Sequence, residues 1–179
     1  KRKEVIVVSS AGNTARAFAQ VCSDNDIKLL LTIPEDNLSA LWFEKPLNPC
    51  VKVIATKSGS DYFDAINLGN IVCELDGFFA EGGAKNIARR DGMATTMLSA
   101  TTFIGRIPDY YFQAVGSGTG AIAAWEANLR FLEDGRYGNH KAKIYVSQNR
   151  PFVPMYDAWK ADSREMLPYD NDQARHDAN

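Results

Sequence analysis

Short apolar runs alternate with stretches whose apolar residues recur every three or four positions, and the alternation continues along most of the chain. A continuous run over Val5–Ser9 predicts a buried strand, and Ala15, Phe18, Ala19 and Cys22 make one stripe of a helix predicted from Asn13 to Asp24. Ile27–Ile33 predicts the next strand, closed by Pro34, and a short helix over Asn37–Glu44 is predicted to end before Pro46. Val51–Ala55 reads as a third strand. The segment from Ser60 to Cys73 reads as a helix, with the oxygen of Ser60 or Asp61 taking an orphan N–H of its first turn. A short strand is predicted near Gly77–Ala80. Gly82-Gly83 then interrupts the pattern and marks a predicted boundary between two lobes, 1–82 and 83–179. Beyond it, a helix over Gly92–Ile104 would turn Met93, Met97, Ala100 and Ile104 to one side. Tyr110–Val115 predicts a strand, Ala121–Glu133 a helix with Ile122, Trp125, Leu129 and Leu132 inward, and Ala142–Ser147 a last strand. From Pro151 the rhythm is lost, and the chain ends in the polar run Asp170–Asn179.

Continuous apolar strands between amphipathic helices imply an α/β fold, a parallel sheet covered by helices on both faces. With 179 residues, 45% apolar and 23% charged, the chain is long enough for one sizeable domain or two small lobes. A net charge of −2 provides no polyanion-binding surface, so nucleic acid is not an expected partner. No run approaches the roughly 18 apolar residues that span a bilayer, so no membrane association is expected. Lys1-Arg2-Lys3 leads directly into a run of only four apolar residues, Val5 to Val8, which does not make a signal peptide. The expected location is cytoplasmic. Cys22, Cys50 and Cys73 lie far apart, which argues against a disulfide framework and a zinc site; no metal is expected. Cys22 falls on an apolar helix face and reads as a buried free thiol. His140 and His176 sit in a turn and a polar tail, and neither is assigned a catalytic role.

Candidate chemistry concentrates in two glycine-bearing turns, Ser9-Ser10-Ala11-Gly12-Asn13-Thr14 and Gly116-Ser117-Gly118-Thr119-Gly120. Each follows a predicted strand and leads into a predicted helix. In an open α/β sheet such turns lie at the carboxyl ends of strands, where ligands bind, and the N–H groups of the following helix favour an anion. The second turn lets backbone approach a phosphate through Gly116, Gly118 and Gly120, with hydroxyls from Ser117 and Thr119. With Ala121 it also fits the dinucleotide pattern G-x-G-x-x-A, which expects an acid after the next strand to hold a ribose. Here that strand ends in Ser147-Gln148-Asn149, so phosphate without ribose is the better inference. The alternative is a turn rich in glycine for tight strand–helix packing. The first turn, with its hydroxyls, the amide of Asn13 and the sharp bend allowed by Gly12, suits a small carboxylate. Its alternative is that Asn13 or Thr14 only caps the helix.

Together the two turns resemble the pyridoxal-phosphate enzymes of fold type II, in which a Ser/Thr-x-Gly-Asn-Thr turn precedes a Gly-rich phosphate loop. The resemblance runs from about Val5 to Asp172. It implies a two-lobed, three-layer αβα fold with pyridoxal 5'-phosphate as cofactor. It also implies that Ser10, Ala11, Gly12 and Thr14 bind the substrate, Asn13 meets the cofactor's ring hydroxyl, and Gly116, Ser117, Gly118, Thr119 and Gly120 hold its phosphate. Ile33-Pro34-Glu35 and the segment from Glu81 to Met93 are most similar to the threonine synthase branch. Within that branch they, together with Ala114-Val115-Gly116-Ser117-Gly118-Thr119-Gly120, resemble the archaeal enzymes that replace the phosphate of phosphoserine with sulfite on the route to coenzyme M. Phosphoserine and sulfite are thus the implied small-molecule partners, and a homo-oligomer is expected. Lys85, Arg89 and Arg90 are candidates for meeting the anions, since their spacing can bring them to one helix face. A solvated basic face is the plainer reading of the same residues.

The family carries a Schiff-base lysine a few tens of residues before the Asn-bearing turn. This sequence starts only eight residues before Ser9, and Lys1 and Lys3 are too close to serve. No segment before Asn179 matches the family's hydroxyl partner of the pyridine nitrogen. The expectation is an internal fragment, incomplete at both ends and inactive by itself. Two other readings compete: a threonine synthase acting on phosphohomoserine, and a non-enzymatic module that binds a phosphate or nucleotide.

Overall fold

In the computed structural model, residues 4–150 and 153–168 are described. Lys1, Lys3 and the polar run Asp170–Asn179, with His176, lie outside them. The chain forms two compact units, one ending at Glu81 and the other beginning at Gly82.

In the first unit, β1 (Val5–Ser9), β2 (Leu29–Pro34), β3 (Val51–Thr56) and β4 (Phe78–Ala80) form one sheet in the order β3-β2-β1-β4. All of its pairings are parallel, with Val7 opposite Leu30 and Ala80. β2 is buried along its whole length because a helix covers each face. On one side, Leu29 and Leu31 meet Ala15, Ala19 and Cys22 of α1 (Asn13–Asp24). On the other lies α2 (Tyr62–Cys73), whose Gly69 faces Val7, Ser9 and Thr32. Each fully buried leucine of this kind contributes about 1.5–3 kcal/mol relative to exposure. Asp61 is the cap of α2: it accepts from Asp64 N at 2.9 Å, and Asp64 returns a bond to Asp61 N at 3.1 Å. That reciprocal pairing resolves the choice between Ser60 and Asp61. The helix expected over 37–44 is instead a 3-10 helix, Glu35–Ala40, and Pro34 is the last residue of β2. Proline at that end removes only one donor from the ladder.

The second unit holds α3 (Ile87–Met93), α4 (Thr95–Ile104), β5 (Tyr110–Ala114), α5 (Thr119–Asp134), β6 (Lys143–Ser147) and α6 (Pro154–Lys160). β5 and β6 pair in parallel, Phe112 opposite Tyr145. One face of this pair is covered: Tyr111 and Ile144 lie against a core of Ala94, Met97, Ile107, Ala123, Ala127 and Phe131. The other carries exposed Tyr110, Phe112 and Tyr145, with Phe112 stacked on Tyr145 at 5.2 Å. Inside the core, the Asn128 carboxamide oxygen accepts from Ala142 N at 2.7 Å and ties α5 to the start of β6.

Two helix faces differ from expectation. In α5 the buried face is the small one, Ala123, Ala124 and Ala127 with Phe131, while Ile122, Trp125 and Leu129 are 42%, 37% and 42% exposed. Both stripes have helical spacing. Alanines allow the helix axis to approach the strands closely, so bulk gives the wrong choice between them. The helix expected over 92–104 is two helices separated at Ala94, and the buried line runs Ala94, Met97, Thr101 rather than through Ala100 and Ile104. The turn at Ala94 breaks the register that a single helix would keep. α6, which the sequence pattern did not reveal, starts with Pro154 at its first position and takes its N-terminal bonds from Gln148, whose side-chain oxygen accepts from Met155 N and Tyr156 N.

Replacing Gly69 with Ala would push a Cβ into Ser9 Oγ and towards Thr32 Oγ1. The expected result is a loss of roughly 1–3 kcal/mol of stability by overpacking, despite alanine's better helix propensity. Urea unfolding of the two proteins measures it.

Candidate functional site

The first turn leaves the carboxyl end of β1 and enters α1. Its first residue is fixed from behind: Thr32 Oγ1 donates to the Ala65 carbonyl at 2.9 Å and accepts from Ser9 Oγ at 2.7 Å, with Ser9 Oγ 3.3 Å from the same carbonyl. Tyr62 donates its hydroxyl to the Ser9 carbonyl at 2.7 Å. The cap of α1 is Gly12, with no side-chain capping bond and no acidic residue in the first turn. Asn13 and Thr14 therefore lie inside the first turn, and neither caps the helix. Ser10 Oγ is a long 3.5 Å from Gly12 N. The Asn13 side chain is exposed, and its oxygen accepts from Arg16 Nη1 at 3.2 Å. A groove of about 480 Å³ runs beside α1 past Asn13, Arg16, Gln20 and Trp42.

The second turn leaves β5 and enters α5 through Gly118, whose φ of +78° favours glycine and which provides no side-chain cap. Ser117 Oγ and Thr119 Oγ1 are hydrogen-bonded at 2.7 Å. The three glycines differ in kind. A Cβ on Gly120 would meet Gln113 Oε1 at 3.0 Å and Met93 Cε at 3.3 Å, and one on Gly118 would meet Met155 Cε at 3.0 Å. A Cβ on Gly116 would meet nothing within 4 Å. Gly120 and Gly118 thus serve packing and backbone, whereas Gly116 leaves open space at the helix start. Backbone N–H groups and the one hydroxyl proton left over from the Ser117–Thr119 bond, with no acidic residue in the first turn of α5, form a donor set that suits a phosphate.

The basic residues do not share one helix face. Lys85 ends a 3-10 turn, Gly83–Lys85, and extended Asn86 separates it from α3. Asn86 accepts from Arg89 N at 3.1 Å, so α3 starts only at Ile87. Arg90 is held by both carboxylate oxygens of Glu126, at 2.9 and 3.1 Å, and by the Ala84 carbonyl. Burial, with a smaller contribution from Cys50, pushes the Cys22 thiol above its ordinary value, as suits a packing residue. Among the described residues, no group of His, Cys, Asp and Glu could hold a metal, and no helix is long and apolar enough to cross a membrane. Arg16, Thr32 and Tyr62 were missed in the sequence. Arg16 left a signal, its three-residue spacing from Asn13; the other two approach through the sheet and left none.

A family model described as pyridoxal-phosphate dependent enzyme matches residues 1–176. The chain belongs to the pyridoxal-phosphate dependent enzyme family. Its curated relatives include the cysteate synthase of Methanosarcina mazei, 50% identical over 166 residues, 92% of this chain and 40% of the relative. The cysteate synthase of Methanoculleus marisnigri is 51% identical over 164 residues, 92% of this chain and 37% of the relative. The chain thus spans about 40% of the length of the relatives it matches. Among solved structures, maize serine racemase superposes with a TM-score of 0.65 at 16% identity, over 96% of this chain and 49% of that one. Cysteine synthase from Entamoeba histolytica gives 0.59 at 17%, over 94% and 46%. These two similarities establish the fold, a parallel α/β architecture of fold type II, and the family establishes pyridoxal phosphate as the cofactor.

Gly118→Ala is expected to lose roughly 1–2 kcal/mol, since an L-residue is forced into the left-handed region against Met155. Gly116→Ala, with open space and no positive φ, is expected to unfold at the parent's urea midpoint. Denaturation curves of both variants test this contrast.

Proposed function

We propose that this chain is part of a cysteate synthase, in which the phosphate of O-phospho-L-serine is replaced by sulfite to give L-cysteate and inorganic phosphate. The observation that carries the reading is about 50% identity to several cysteate synthases over 92% of the chain. The two turns support it, because each offers donors and neither presents an acid to an anionic ligand. The backbone and hydroxyls of Gly116, Ser117, Gly118, Thr119 and Gly120 hold the cofactor phosphate, and Asn13 donates to the ring hydroxyl. Ser10, Ala11, Gly12 and Thr14 receive the substrate carboxylate. Residues 1–82 form the substrate-turn lobe, and 83–179 contribute to the lobe that holds the cofactor phosphate.

The chemistry that pyridoxal phosphate supplies when bound is withdrawal of electrons from the substrate Cα. The chain's own residues bind and orient. The N-terminal turns of α1 and α5 supply fixed partial positive charge, and Asn13 supplies a neutral donor. Overall the Cβ–O bond to phosphate breaks and a Cβ–S bond to sulfite forms. Lys85 and Arg89 are the cations that meet the leaving and entering anions. Arg90 is committed to Glu126 and takes no part.

In the full-length protein carrying this sequence, supplied with pyridoxal phosphate, phosphoserine and sulfite, phosphate and cysteate are expected in equal amounts. Threonine formed from phosphohomoserine, with no cysteate, would replace this reading by a threonine synthase. No turnover of either substrate, with nucleotide bound instead, would favour a binding module. Arg89→Glu is expected to raise the KM for phosphoserine or sulfite about tenfold or more, the scale of one charge-assisted contact. Steady-state kinetics measure it.

A further inference from the structure

A carboxamide presents an acceptor at one end and a donor at the other, so the group that holds one end decides what the other offers. Arg16 has donors only. Its Nη1 lies 3.2 Å from the Asn13 oxygen, which leaves Asn13 Nδ2 turned away, with no acceptor among the described residues. Arg16 is itself fixed twice by Trp42: Nε donates to the Trp42 carbonyl at 3.1 Å, and the guanidinium lies 3.3 Å from the centre of the indole ring. It has no carboxylate partner among the described residues. The arrangement immobilises a flexible cation by a planar stack and a backbone bond rather than by an acid. An acid there would neutralise the charge beside Asn13.

We infer that Arg16, held by Trp42, is a positioning residue that fixes the Asn13 carboxamide with its Nδ2 as the outward donor. The inference rests on the reading that Asn13 meets the cofactor's ring oxygen. Arg16 does two things in this role. It removes the flipped state in which the amide oxygen would face an electron-rich ligand, and its charge polarises the amide so that Nδ2–H is a stronger donor. The loop containing Trp42 is thereby coupled to the first turn, although it contributes no side chain of its own to that turn.

The test uses the full-length protein, with affinity for pyridoxal phosphate and the absorbance of the bound cofactor as readouts. Arg16→Met is expected to weaken affinity about tenfold and to shift the absorbance, as the loss of one charge-assisted bond would. Arg16→Lys, which keeps the charge and a donor but not the planar stack, is expected to fall between it and the parent, and it serves if the Met variant fails to fold. Asn13→Asp keeps an acceptor for Arg16 and removes the Nδ2 donor, so it is expected to behave like Asn13→Ala. In the Asn13→Ala background, Arg16→Met is expected to add nothing. If Arg16→Met keeps the parent's affinity and absorbance while Asn13→Ala changes both, the positioning role is overturned and the reading of Asn13 stands. An Arg16→Met effect that persists undiminished in the Asn13→Ala background also overturns it. If neither Asn13 variant changes either readout, the reading of Asn13 fails, and the role of Arg16 fails with it.

Discussion

The placement of the first turn depends on one buried contact in which Ser9 Oγ, Thr32 Oγ1 and the Ala65 carbonyl share hydrogen bonds. Two adjacent strands end there under a helix, and hydroxyls left without partners in that interior would each be destabilising by about 1–3 kcal/mol. The contact exists because α2 comes close enough for its own carbonyl to be an acceptor. That approach is possible because Gly69 faces β1 and β2 without a side chain. Tyr62 then reaches the Ser9 carbonyl from the same helix. The strand end is thus fixed where the turn begins.

The second turn reaches the same result by other means. Its order comes from Gly118 in the left-handed region, from the Ser117–Thr119 hydroxyl pair, and from Gly120 lying close to Gln113 and Met93. Gln148 contributes indirectly by capping α6, whose Met155 lies against Gly118. In both turns the helix cap is a glycine that makes no side-chain bond to the helix start. A protein that needed only stable helices would place Ser, Thr or Asp there, as α2 does with Asp61.

Charge is distributed by the same logic. Arg90 is tied to Glu126 within its unit, where it joins α3 to α5. Arg16, by contrast, is held by an aromatic face and a carbonyl, which fix its position without cancelling its charge. The difference between these two arginines is not visible in composition. It follows from which neighbour folding brings to each.

Much of the fold was legible in sequence because it follows from local pattern. Apolar runs of strand length, a helix stripe such as Ala15-Ala19-Cys22, a cap at Ser60 or Asp61 and the strand–turn–helix order at the two Gly-bearing turns all act within a few residues, and the structure keeps them, with Asp61 as the cap. The family and the cofactor were legible for the same reason, since the turns that carry the resemblance are written in consecutive residues. Choices between faces were not. α5 carries two apolar stripes of equal period, and only its packing on the neighbouring helices and on β5 and β6 selected the alanines. The basic cluster looked continuous until Asn86 separated Lys85 from α3. Sequence by itself determined the alternation of strands and helices and the parallel pairing of the strands, because backbone preference and short-range periodicity decide them. Tertiary structure alone decided which stripe was buried, how Ser9, Thr32 and Ala65 met, and that Trp42 held Arg16, because those outcomes depend on distances between segments that the order of residues does not contain.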